Sequence, residues 1–260
     1  MTRTHVITGA ASGIGKATRE LLESRGERVI GVDVHSTDVV ADLSTPQGRA
    51  AMVDAVARLA DGRIDAIHAV AGLATPTSAT VSVNFFGMVA TLEGLRPLLA
   101  GSPAPRAVGV SSMASLMPLD DELVALMTAG DEAAAVARAE VLAKDPATTG
   151  QLIYSSTKKA FSQWIRRTAP TADWAGASIP LNCVAPGVIA TPMTEQYTAT
   201  EEARHAILEM VPMPLNGIAE PIAVATLLAW LTSEENTHLC GQVVFVDGGS
   251  DVVIRGDSTW

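Results

Sequence analysis

Tyr154 and Lys158 stand four residues apart in Tyr154-Ser155-Ser156-Thr157-Lys158, a spacing that puts both side chains on one face of a helix. A phenol with a pKa of about 10 is a poor base at neutral pH, and a neighbouring ammonium lowers that pKa by favouring the ionised form. Proton exchange with a substrate oxygen is the chemistry such a pair can do. By itself the spacing more often marks a surface pair on an amphipathic helix, so the surrounding segments decide.

A second constellation lies near the start of the chain. Thr8-Gly9-Ala10-Ala11-Ser12-Gly13-Ile14-Gly15 follows an apolar run and opens a helical pattern. Small residues there let the backbone turn sharply, so that amides at a helix N-terminus can face a pyrophosphate. Glycines also mark ordinary tight turns, but a position between strand and helix is the context phosphate binding requires. Asp33 ends the second apolar run, where a carboxylate can accept hydrogen bonds from both hydroxyls of an adenosine ribose and would repel a 2′-phosphate. No Arg or Lys closely follows Asp33, and position 12 is Ser, so NAD is expected as cofactor rather than NADP. A solvated aspartate at a strand end is the plain alternative.

Further polar groups are spread along the chain. Ser111 and Ser112 close a strand, where neighbours point to opposite faces and only one of the two can meet a ligand. Asn84 lies in an apolar helical stretch, where a buried amide needs partners, in a site or on nearby backbone. Pro186-Gly187-Val188-Ile189-Ala190-Thr191 follows the sixth strand, at the carboxyl edge where open α/β sheets bind ligands. Residues 192–214 carry Met193, Met210, Val211 and Met213. Flexible thioethers suit an adaptable apolar pocket, so this stretch is expected to be a lid over a hydrophobic substrate; ordinary core filling is the alternative. His205 and His238 have no partner for metal or triad chemistry, and no metal site is expected.

These groups need a frame. Short apolar runs at 5–8, 28–33, 64–70, 107–111, 179–184 and 243–246, with a brief one at 39–41, alternate with helical patterns at 14–25, 45–61, 82–99, 155–174 and 220–231. That alternation predicts a single α/β domain over 1–260, a doubly wound parallel (Rossmann) sheet of seven strands flanked by helices. One stretch departs from it. Residues 120–128 read as a short helix, Ala129-Gly130 breaks the chain, and Asp131 offers an N-cap for a second helix to 144. The result is a helical-hairpin insert, about 116–150, just before the helix of Tyr154.

Composition agrees. Apolar residues make up 48% and aromatics only 4%, which suits a parallel sheet covered on both faces. Lys and Arg total 18 against 28 Asp and Glu, a net charge of -10, so no nucleic-acid partner is expected. The run 222–231 is too short to cross a bilayer, and no membrane partner is expected. Cys183 and Cys240 have neither zinc-like nor disulfide-framework spacing, which fits a cytoplasmic protein.

In combination, the glycine turn, Asp33, Asp42-Leu43, Ala71-Gly72, Asn84, Ser111-Ser112, Tyr154, Lys158, Asn182 through Gly187 and Asp247-Gly248-Gly249 resemble the short-chain dehydrogenase/reductase family over nearly the whole chain. Ala41 through Thr45, Ser82 through Gly87 and the insert are most similar to its bacterial 3α-hydroxysteroid dehydrogenase/carbonyl reductases. Coniferyl-alcohol dehydrogenases look similar at this level. Two departures stand out. The family's usual Asn-Asn-Ala-Gly is here Ala69-Val70-Ala71-Gly72, so any bracing by those asparagines must be met differently. The insert would stand in the way of the family's usual long-helix tetramer contact.

The resemblance implies roles. Tyr154 would exchange the proton, Lys158 would lower its pKa and hydrogen-bond the nicotinamide ribose, and Ser112, the serine that aligns, would hold the substrate oxygen. Asn84 would hold a water linking Lys158 to solvent. Gly9, Ser12, Gly13, Ile14, Gly15, Asp33, Asp42, Leu43, Ala71, Gly72, Pro186, Gly187, Ile189 and Thr191 would line the cofactor, with Ile189 and Thr191 toward its carboxamide and phosphates. The implied activity is NAD-dependent interconversion of a small hydrophobic alcohol, steroid-like or terpenoid-like, and its ketone, by a homodimer or homotetramer. Oxidation of an aromatic primary alcohol of coniferyl type is one alternative, a non-catalytic dinucleotide sensor another; a sensor would not need Asn84, Ser112, Tyr154 and Lys158 together.

Overall fold

A computed structural model describes residues 2–258. Seven parallel strands form one sheet: β1 (Thr4–Thr8), β2 (Arg28–Asp33), β3 (Val39–Val40), β4 (Ala66–Ala69), β5 (Arg106–Val110), β6 (Leu181–Pro186) and β7 (Val243–Val246). Their order is β3-β2-β1-β4-β5-β6-β7, so the winding reverses between β1 and β4 and opens a crevice at the carboxyl ends of those strands. The central strands β4, β5 and β6 are buried throughout, the sign of a sheet covered on both faces.

On one face lie α1 (Gly13–Ser24) and, later in the chain, α10 (Pro221–Leu231), packed on each other. On the other lie α2 (Pro46–Leu59), then a composite element, then α7 (Gln151–Thr168). The composite element was expected as one helix over 82–99. It starts earlier, as α3 (Ser78–Val81), widens into a π turn (Ser82–Gly87), continues as α4 (Met88–Leu95) and tightens over Arg96–Leu99.

The helix expected over 155–174 begins at Gln151, so Tyr154 and Lys158 both lie inside α7. Phe161 and Ile165 are buried on its inner face. Gly109 of β5 lets α7 come close, since a Cβ there would stand 2.5 Å from the Phe161 ring. That approach brings Lys158 over the end of β5.

The insert is a helical hairpin, as its caps predicted. Asp120 accepts from the Leu123 amide ahead of α5 (Asp121–Thr128), and Asp131 from the Ala134 amide ahead of α6 (Glu132–Leu142). Leu123, Met127, Ala135 and Ala139 are wholly buried and join the same core as α2, α4 and α7. Burying a Leu or Met side chain stabilises by about 1.5–3 kcal/mol, so the hairpin is held by its own chain.

After β6 come α8 (Glu195–Thr198) and α9 (Glu201–Met210), and the described residues end near α11 (Ser250–Arg255), a helix that sequence patterning missed. No helix among the described residues is long and apolar enough to cross a membrane.

Candidate functional site

Loops from the carboxyl ends of β1, β2, β4, β5 and β6 enclose a cavity of about 420 Å³ along the crevice. Its β1 wall is the glycine turn. Gly9 has φ +71, and a Cβ on it would stand 2.9 Å from the Ala71 backbone, so only glycine lets the two loops meet. Thr8 stitches them together: its hydroxyl accepts from the Val70 amide at 3.0 Å and the Ala71 amide at 3.2 Å. At the start of α1 no side chain caps the first turn and no acidic residue lies in it, which leaves that end open to an anion.

Asp33 lines the cavity at the end of β2. One carboxylate oxygen accepts from the Ala11 amide at 3.0 Å and the other from the Val34 amide at 2.7 Å, which fixes the group beside the glycine turn. Arg19, near by, is engaged with Asp38 at 3.1 Å and Glu23 at 2.8 Å. Asp42 and Leu43 complete this end. The Ser44 hydroxyl and amide hold the Asp42 carboxyl below its usual pKa.

At the opposite end Ser112, Tyr154 and Lys158 converge on the same cavity. Ser112 follows β5 and caps a short turn, its hydroxyl accepting from the Ala114 amide at 3.1 Å. Ser111 turns inward instead, donating to the Lys158 carbonyl at 3.0 Å and sharing a 2.8 Å bond with Ser162. Both serines line the cavity, but the Ser111 hydroxyl is taken up by buried partners.

Lys158 corrects the sequence expectation. Its ammonium donates to the Val110 carbonyl at 3.0 Å and lies 5.6 Å from the Tyr154 ring centroid, over the ring face. Burial lowers its pKa to about 8. The Tyr154 phenol is raised above its usual value by burial, partly offset by Ser112, and is not lowered by the lysine as expected. Burial also pushes the neighbouring Cys183 thiol up to about 12, so it stays neutral.

Asn84 also sits differently. It is absent from the cavity wall and wholly buried behind it. Its side chain accepts from the Leu73 amide at 2.7 Å, donates to the Leu73 carbonyl at 2.8 Å and reaches Thr157 at 3.3 Å. It therefore clamps the loop after β4 to α7.

Pro186, Gly187, Ile189 and Thr191 line the β6 side. Sequence reasoning missed Thr194, whose hydroxyl accepts from the Thr191 amide at 3.1 Å and donates to the Ile189 carbonyl at 2.5 Å, locking this loop. The Thr-x-x-Thr spacing of a capping turn was the available signal. Beyond the loop, Met113, Val188, Val211 and Met213 form a buried apolar cluster, against which Met117, Ile207 and Leu208 pack. Met193 lines the cavity, while Met210 is exposed. Among the described residues no cluster could hold a metal ion.

The cavity suits a dinucleotide: it offers a glycine cradle and an open helix start for phosphates, and a fixed carboxylate for a ribose. Comparison with known proteins agrees. The family described as enoyl-(acyl carrier protein) reductase matches residues 9–251. A 3-alpha-hydroxysteroid dehydrogenase/carbonyl reductase of Comamonas testosteroni is 36% identical over 256 residues, covering 96% of this chain and 97% of that protein. A coniferyl-alcohol dehydrogenase of Pseudomonas sp. (strain HR199) is 28% identical, covering 94% of each. The crystal structure of a 3-alpha-hydroxysteroid dehydrogenase from Pseudomonas sp. B-0831 complexed with NADH superposes with a TM-score of 0.87 at 38% identity, covering 98% of this chain and 99% of that one.

Proposed function

The chain belongs to the short-chain dehydrogenase/reductase family of oxidoreductases, and on that premise we propose that it interconverts a hydrophobic secondary alcohol, steroid-like or terpenoid-like, and its ketone with NAD as cofactor. The observation that carries this reading is the shared cavity: Ser112, Tyr154 and Lys158 stand at one end, Asp33 and the glycine turn at the other. The bound dinucleotide supplies the hydride acceptor or donor.

The chain's own residues handle the oxygen and its proton. Ser112 holds the substrate oxygen, which fixes the reacting carbon in one orientation. Tyr154 gives its proton to that oxygen in ketone reduction and takes one in alcohol oxidation. The phenol of this structure is favoured in its protonated form by burial. To serve as the base it needs the Lys158 ammonium to leave the Val110 carbonyl and face the phenol oxygen, where a cation favours phenolate.

Two observations support the finer assignments. The fixed Asp33 carboxylate favours a ribose bearing two free hydroxyls over one bearing a phosphate. Leu73, Val83, Val110 and Met193 line the cavity, and that apolar lining favours an apolar substrate, whereas Val211 and Met213 fill a separate buried cluster. The test is a panel of steroids, monocyclic terpenoids and aromatic primary alcohols, followed by NADH absorbance with NAD and then NADP. Turnover of secondary alcohols with NAD is expected; turnover confined to aromatic primary alcohols would overturn the substrate class.

A further inference from the structure

One buried charge takes no part in that chemistry. Arg49 of α2 is buried, yet its guanidinium makes five polar contacts. Nε donates to the Leu43 carbonyl at 2.8 Å, and Nη2 to the Ser82 carbonyl at 3.0 Å and the Ser44 carbonyl at 3.4 Å. Nη1 and Nη2 fork onto the Glu132 carboxylate at 2.7 and 2.5 Å. The group also lies 5.9 Å from the Phe86 ring centroid. Leu43 and Ser44 form the cavity wall opposite Tyr154, Ser82 opens the π turn that carries Asn84, and Glu132 is the first residue of α6.

A buried guanidinium is tolerated only with a carboxylate and satisfied donors, because removing one partner leaves an uncompensated charge. Glu132 is the only carboxylate paired with Arg49 among the described residues, and it comes from the insert. The other end of the insert is tied to α7. The Asp120 amide donates to the Ser156 hydroxyl at 2.9 Å and the Ser155 hydroxyl donates to the Pro118 carbonyl at 2.5 Å. Both serines lie between Tyr154 and Lys158. Within the hairpin, Arg138 of α6 forks onto Asp120 at 3.1 and 2.6 Å. Two sets of polar contacts, joined by the backbone of α6, thus link the reactive helix through the insert to the Leu43–Ser44 wall.

We infer that Arg49 and Glu132 are positioning residues for cofactor binding: through this ion pair the insert sets the wall that meets the adenosine half of the dinucleotide. The inference rests on the reading that a dinucleotide fills the cavity. Neither side chain lines the cavity, so each acts through the carbonyls of Leu43 and Ser44. Lysine could not replace Arg49, since a point charge cannot meet Leu43, Ser82 and a carboxylate in one plane.

The experiment titrates NADH and ADP-ribose into the wild-type protein, Glu132→Gln, Glu132→Asp and Arg49→Lys. Glu132→Gln and Arg49→Lys should each weaken NADH and ADP-ribose binding about tenfold. In turnover they should raise KM for the dinucleotide while kcat and KM for the alcohol stay within about twofold, and Glu132→Asp should recover part of the loss. Should KM for alcohol and dinucleotide rise together, the pair merely supports the fold and the inference fails. Unchanged NADH binding in Glu132→Gln overturns it while leaving the cofactor reading intact. A wild-type protein that binds neither NADH nor NADPH overturns both. In case the variants do not fold, hydrogen exchange on the wild-type protein decides: NADH should slow exchange of the α6 amides, and an unchanged rate there refutes the coupling.

Discussion

Mild acid should loosen this protein through two histidines under the central sheet. His5 of β1 and His68 of β4 are both buried, with His5 Nδ1 and His68 Nε2 3.0 Å apart. The remaining ring nitrogens, His5 Nε2 and His68 Nδ1, lack partners among the described atoms. Burial, and then the Arg3 charge, lower the His5 pKa from 6.5 to about 4, with Asp65 opposing. Burial drives His68 down as well, with His5 and Arg3 adding to it. Because the folded values lie below the unfolded one, the unfolded chain binds more protons, and stability falls as pH drops from the unfolded value toward the folded one. At about pH 5, His5 alone then lowers stability by about 2 kcal/mol, and His68 acts in the same direction. Domains of this kind are stable by about 5–15 kcal/mol, so the loss is measurable. Carboxylates such as Asp65 titrate lower, which leaves the window to the histidines. The assay is urea unfolding followed by circular dichroism at about pH 7 and pH 5, on wild type and on His5→Leu/His68→Leu. Wild type should lose about 2 kcal/mol or more between them and the double variant less than about 0.5 kcal/mol. Equal losses in both proteins would refute the reasoning.

Other outcomes follow from the site. Tyr154→Phe should lower kcat by about 100-fold or more with NADH affinity kept, read by steady-state rates and titration; full turnover would remove Tyr154 from the chemistry. Asp33→Ala should narrow the preference for NADH over NADPH, and an unchanged ratio of affinities would take Asp33 out of the argument. Gly9→Val should abolish dinucleotide binding, because its Cβ collides with the Ala71 backbone at a positive φ; binding by titration at wild-type affinity would mean the turn is not the cradle. Lys158→Met should slow both alcohol oxidation and ketone reduction at neutral pH, since the two directions share one transition state in which the phenol oxygen carries charge; unchanged initial rates would take Lys158 out of the proton exchange.

How far the sequence could be read follows from the range of each interaction. The strands were legible because a parallel sheet buried on both faces demands continuous apolar runs, as in Ala66–Ala69 and Leu181–Pro186. The insert was legible because Asp120 and Asp131 cap their helices locally. The glycine turn, Ser112, Tyr154 and Lys158 could be placed in one cavity because the strand order sets the ends of β1, β4 and β5 along one crevice and α7 packs against β5. What escaped depends on partners distant in the chain. A π turn over Ser82–Gly87 leaves no compositional mark, since only its hydrogen-bond register changes. Lys158 turns to the Val110 carbonyl and Asn84 to the Leu73 backbone because tertiary packing sets those carbonyls within reach. Arg49 gave no sign at all: its charge is answered from 83 residues away. The same distance is why the ion pair carries information between parts of the molecule. A contact within one helix could only stabilise that helix, whereas Arg49 ties the cavity wall to an insert that also grips the segment between Tyr154 and Lys158.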